Sequence, residues 1–139
     1  MDWTQDPVAL VLAFVDDYYR WNTAANARLD KAGESGTAIA SATTAAEREY
    51  RALLKQYCRP GFTGEPVVFG SPSLHHPKFE TIASSKPRGD RCLIKTCAVD
   101  DEDEFGVEVN FEYRLVWADG RWYLERVTVV DETGRYESL

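Results

Sequence analysis

From Val107 to Trp117 the chain alternates. Val107, Val109, Phe111, Tyr113, Leu115 and Trp117 are interleaved with Glu108, Asn110, Glu112 and Arg114. A period of two belongs to a β-strand with one buried face and one wet face. Ala118-Asp119-Gly120 follows. Asp-Gly between apolar runs is a strong hairpin signal, because both residues tolerate the positive φ that a tight turn demands. Trp122 to Val130 then returns as the partner strand.

The rest of the second half has the same period. Val67-Val68-Phe69, Phe79 to Ser84, and Cys92 to Val99 read as strands. Gly70-Ser71-Pro72 closes the first, and Lys86-Pro87-Arg88-Gly89-Asp90 is turn chemistry between the second and third. The first half is helical. Asp6-Pro7 supplies a capping acid and a Pro at the first helical position. Val8, Val11, Leu12, Val15, Tyr18, Tyr19 and Asn22 then follow helical spacing, with Leu10, Phe14 and Trp21 on a neighbouring stripe. Residues 32–46 are small and nearly patternless, and read as a flexible connection over about 32–44. Thr44-Ala45-Ala46-Glu47 reads as a capping box. Tyr50, Leu53, Leu54 and Tyr57 give a second helix its apolar face, and Arg59-Pro60-Gly61 ends it.

Two helices followed by four or five antiparallel strands is an α+β order. Twisted strands of that length are expected to curl around the helices, giving a half-open cone with a pocket between helix and sheet. At 139 residues, of which 44% are apolar, the chain suits one domain with a real core.

Charge narrows the partners. The chain has 16 Lys and Arg against 23 Asp and Glu, a net −7. It lacks a clustered basic run, which argues against nucleic acid and anionic membrane as direct partners. Residues 71–139 carry 14 acids and 9 bases, and five of those acids form one run, Asp100-Asp101-Glu102-Asp103-Glu104. Such a run is commonly a solvated loop held open by repulsion. It is also a candidate landing surface for a basic protein.

Catalytic motifs are scarce. Cys58, Cys92 and Cys97 are odd in number and lack CxxC spacing, so they read as free thiols in a reducing compartment. Cys92 and Cys97 should face opposite sides of one strand. His75 and His76 lie in a Gly/Ser/Pro-rich stretch and read as loop residues, such a histidine commonly capping a turn. Acid–base work by one of them with an acid such as Asp16 is the enzymatic alternative. No G-x-S-x-G, phosphate loop or dinucleotide fingerprint occurs. No catalytic, cofactor or metal residue is assigned. No apolar run approaches the roughly 18 residues of a membrane span, and no basic leader opens the chain. The expected compartment is the cytosol.

Aromatics are abundant, with 4 Trp, 7 Tyr and 6 Phe. Most should pack the core, and a surplus on the sheet would anchor an interface. Tyr113, Trp117 and Tyr123, at the hairpin, are the candidates, alongside Asp100, Asp101, Glu102, Asp103 and Glu104.

Several stretches resemble one family in order. They are Tyr50 through Pro60; Gly70 to Pro77 with Phe79-Glu80-Thr81-Ile82; Phe111 to Val116; Asp119 to Glu125; and Val130 to Leu139. Together they look similar to bacterial immunity proteins of the nuclear-transport-factor-2-like fold, over roughly residues 45–139. The resemblance implies a cone of curved antiparallel sheet wrapped on helices. It also implies a non-enzymatic role, in which the chain binds and occludes the toxic C-terminal domain of a cognate Rhs-type polymorphic toxin, expected to be basic. The family offers no active-site motif to carry over. The rival expectations are a small pocket enzyme (isomerase, dehydratase or hydrolase) of the same cone shape, and a module that dimerises through its sheet.

Overall fold

The computed structural model describes residues 2–62, 69, 73–99, 108–131 and 134–139. After a short 3-10 turn at Trp3–Gln5, helix α1 runs Pro7–Ala32. The Asp6 carboxylate accepts from the Val8 N–H at 3.0 Å, satisfying a donor the first turn leaves open. Gly33, at φ 58°, ends α1.

Helix α2 runs Gly36–Tyr57, so the connection is only residues 33–35, and 36–46 is helix where the small-residue pattern suggested a flexible connection. Ser35 is the cap, accepting from the Ala38 N–H at 3.3 Å, and the helix begins well before Thr44. Alanine is the best intrinsic helix former, so a stretch without large apolar residues can still be helix. Ala42 and Ala46 are buried, and their small side chains let α2 approach α1 closely. The Trp21 indole N–H donates to the Ala46 carbonyl at 2.9 Å, and the Trp21 and Tyr50 rings lie 4.8 Å apart.

The strands form one antiparallel sheet in the order β1 Glu80–Arg88, β2 Arg91–Val99, β3 Glu108–Ala118, β4 Arg121–Asp131 and β5 Gly134–Glu137. Lys86-Pro87-Arg88, expected as turn, is the end of β1, and only Gly89 and Asp90 turn. Pro87 is tolerated there because β1 is an edge strand, and its missing N–H need not serve a second neighbour. The β3–β4 turn is the expected Asp119-Gly120, with φ of 52° and 80°. Residues 67 and 68 of the expected first strand lie outside the described residues. The fifth strand is instead the C-terminal Gly134–Glu137.

Register assigns the faces. Cys92, Ile94 and Thr96 of β2 pair with Leu115, Tyr113 and Phe111 of β3, which pair in turn with Leu124, Val127 and Val129 of β4. These positions form the inner face, on which α1 lays Phe14: its ring is 6.2 Å from Tyr113 and 5.5 Å, edge-on, from Tyr57 of α2. The result is an α+β structure of two helices packed against a five-stranded antiparallel sheet. Among the described residues no helix is long and apolar enough to cross a membrane.

Candidate functional site

The inner face holds a polar cluster among its aromatics. Glu80 opens β1 on the inner side, and its register neighbours bring Thr96 and Tyr113 to it. The Thr96 hydroxyl donates to Glu80 Oε2 at 2.7 Å, and the Tyr113 hydroxyl donates to the same oxygen. His75 Nδ1 lies 2.8 Å from Glu80 Oε1 and 3.0 Å from the Tyr113 hydroxyl. His75 sits in a bend of the expected loop, before β1, but its side chain is in the core, with 0% of its surface exposed. Its acidic partner is Glu80, not Asp16. The network assigns the imidazole proton to Nδ1, leaving Nε2 buried without a hydrogen-bond partner among the described residues. Phe111, Tyr18 and Phe14 enclose the ring, with centroids at 4.4, 4.7 and 5.4 Å.

Burial, and then the Glu80 carboxylate beside it, hold the Tyr113 phenol well above its ordinary range. Burial alone lifts the Tyr18 phenol to about 12. The chemistry such a cluster could perform is proton exchange between a carboxylate, an imidazole and a phenol. Substrate would have to reach it, and the four members are 0% (His75, Tyr113), 2% (Thr96) and 5% (Glu80) exposed. Three surface cavities, of about 520, 440 and 320 Å³, are lined by described residues, and none takes in these four side chains.

The outer face of the same sheet is open and charged. Glu112 pairs with Arg135 at 2.6 Å and stands 4.0 Å from Lys95. Arg91 pairs with Glu125, and Arg126 with Glu137.

Of the residues expected to touch a partner, the three described aromatics do not form one surface. Tyr113 is fully buried and gives its hydroxyl to Glu80, so it is withdrawn as a surface contact. Trp117 is 36% exposed, its ring edge-on to Trp122 at 5.5 Å. Tyr123 is half-buried under the Arg121 guanidinium, 4.2 Å from its ring centre. Trp117 pairs with Trp122 and Tyr123 with Val116, which are neighbouring ladder positions, so the two aromatics point to opposite faces. Asp100, Asp101, Glu102, Asp103 and Glu104 lie outside the described residues.

All three cysteines are free. Cys58 and Cys92 are buried, while Cys97 is half-buried and faces Glu108, on the side of β2 opposite Cys92. Burial raises the Cys58 thiol to about 12. Among the described residues no three His, Cys, Asp or Glu side chains are grouped to hold a metal.

Sequence reasoning missed the inner cluster. The usable signal was Glu80-x-Ile82, which puts an acid on the apolar face of a strand, where it must find partners. Compared with known proteins, the chain matches no family model, no curated protein and no solved structure.

Proposed function

We propose that the chain is a non-catalytic binding protein of the immunity type, which neutralises the toxic C-terminal domain of a cognate polymorphic toxin by covering it. The observation that carries this reading is the closure of the inner face. The groups able to do acid–base chemistry lie beneath aromatic rings, while charged and aromatic side chains face outward, where a partner could be met. Helices packed on an antiparallel sheet support the cone-shaped, nuclear-transport-factor-2-like architecture that goes with this role. The acidic run Asp100–Glu104 and Trp117 or Tyr123 remain the proposed toxin contacts, and the cytosol the proposed compartment.

One observation favours a pocket enzyme instead. His75 Nε2 is unpartnered among the described residues while Nδ1 is held by Glu80, an arrangement that could present a base to a substrate. The two readings separate in one experiment. The chain is co-expressed with the C-terminal domain of a Rhs-type toxin where one is encoded beside it, as wild type and as Glu80→Gln, which keeps the side chain's size. The binding reading expects growth rescue and a stable co-purifying complex from both. Absence of rescue by the wild type overturns it. Rescue lost in Glu80→Gln, while the complex still forms, points to catalysis.

A further inference from the structure

We infer that the outer face of the sheet, around the β1–β2 hairpin, is a docking surface for an acidic protein segment. The inference does not require the partner to be a toxin, and it concerns a surface separate from the run at 100–104.

The charge there is opposite to that of the chain. Arg121 is occupied by the Gln56 carbonyl at 2.9 Å. Apart from it, the outward ladder positions carry seven bases: Lys86, Arg88, Arg91, Lys95, Arg114, Arg126 and Arg135. Four acids share those positions, namely Glu108, Glu112, Glu125 and Glu137. The whole chain is −7, yet this face is positive.

Ion pairing does not use the excess up. Glu112, Glu125 and Glu137 take Arg135, Arg91 and Arg126, with Lys95 near Glu112. Among the described residues, Lys86, Arg88 and Arg114 have no carboxylate partner, and all three are exposed. They are also neighbours. Lys86 pairs with Leu93, which pairs with Arg114, and Arg88 pairs with Arg91. The register shift at Arg114/Leu115 leaves Glu125 as the extra residue of β4 and Arg126 opposite Arg114. Lys86, Arg88, Arg91, Arg114 and Glu125 line a cavity of about 440 Å³, with Leu93 and Pro87 contributing apolar wall.

That geometry selects the partner. Lys86 and Arg88 are two apart on one strand, so their side chains repeat at about 6.6–6.8 Å. Acids at alternate positions of an extended peptide repeat at the same distance and share one face, which can be laid on the bases. Arginine forks bind carboxylates in a bidentate fashion. The strongly negative remainder of the chain disfavours a long polyanion such as nucleic acid, whose phosphates would run beyond the patch.

The test uses the full chain and fluorescein-labelled probes read by anisotropy. The probes are the peptide Glu-Leu-Glu-Ser-Glu-Leu-Glu, its Gln counterpart, and a single-stranded oligodeoxynucleotide of matching charge. The ionic strength is about 0.01 M, where exposed charges act over roughly 30 Å. The Glu peptide is expected to bind at least about tenfold more tightly than either other probe, and to release as salt is added. Arg88→Glu with Arg114→Glu should abolish that preference, and the milder Arg88→Gln with Arg114→Gln should weaken it. Lys31→Glu, an exposed reversal on α1, should leave it unchanged. Circular dichroism checks that each variant is folded. Equal binding of the Glu and Gln peptides, or unchanged binding by the folded double variants, overturns the inference. Tighter binding of the oligonucleotide reassigns the face to nucleic acid. Self-association in sedimentation that the double reversal removes reassigns it to a second copy. Both reassignments overturn the acidic-segment partner.

Discussion

Tyr113 and Arg114 are consecutive residues of β3, yet the first is fully buried and the second exposed. The two faces they belong to handle polarity in opposite ways. Inside, polar groups have lost water and must find one another. Glu80 accordingly collects Thr96, Tyr113 and His75 within hydrogen-bond reach. Outside, water screens the charges, so Lys86, Arg88 and Arg114 can stand without partners at little cost. The inner face should therefore govern stability, and the outer face association.

The largest expected difference follows from removing the hub of the inner cluster. Glu80→Ala would leave three buried groups short of a partner, and is expected to cost more than about 3 kcal/mol, at about 1–3 kcal/mol for each buried group left unsatisfied. Arg114→Ala, outside, should stay within about 0.5 kcal/mol. Urea unfolding of both variants measures the contrast, and similar losses would break it.

Alkaline pH should probe the inner side next. An unfolded thiol ionises near 9.0 and an unfolded phenol near 10.0, whereas burial holds Cys58 and Tyr18 to about 12. Between those values the unfolded state has released protons that the folded state keeps, so stability falls as pH rises. The contribution is complete below pH 9 and erodes from there toward about 12. Urea midpoints measured across that range, with tyrosine absorbance followed in parallel, should decline together with phenol ionisation. A Tyr18 phenol that titrates freely near pH 10 in the folded protein would mean the inner face is wet.

A finer cut is Tyr113→Phe, which keeps the ring and deletes only the hydroxyl. Glu80 retains Thr96 and His75, so the expected loss is about 1–3 kcal/mol, smaller than for Glu80→Ala. A loss equal to that of Glu80→Ala would make the phenol, not the carboxylate, the hub.

The smallest effect belongs to the outer lattice. Arg91→Ala breaks the pair with Glu125, which is partly solvated on both sides, and should cost about 0.2–1 kcal/mol. Salt should abolish that difference. A larger, salt-resistant loss would show that the outer charges brace the sheet.

The errors and successes of sequence reading follow the same division. Alternation from Val107 placed β3, and Asp119-Gly120 placed its turn, because both signals act within a few residues. The first helix was legible from its cap and large apolar stripe. The second was half legible, since Ala42 and Ala46 bury little area and carry no hydrophobic signature, although they set how closely α1 and α2 pack. The loop position of His75 was legible from its turn-forming neighbours, but its burial was not, because that depends on Phe14, Tyr18 and Phe111, which are distant in sequence.

By itself the sequence determined the order of helices before strands, the tight β3–β4 hairpin, the alternation of faces and an overall acidic charge. These depend on local periodicity, turn chemistry and composition, which short stretches of chain carry independently. Only the tertiary structure decided that Glu80 meets residues from three other segments, and that bases scattered over five strands sum to a positive face. Both depend on register between strands distant in sequence. Cross-strand hydrogen bonding and the burial of one whole face set that register, and neither acts until the chain has folded.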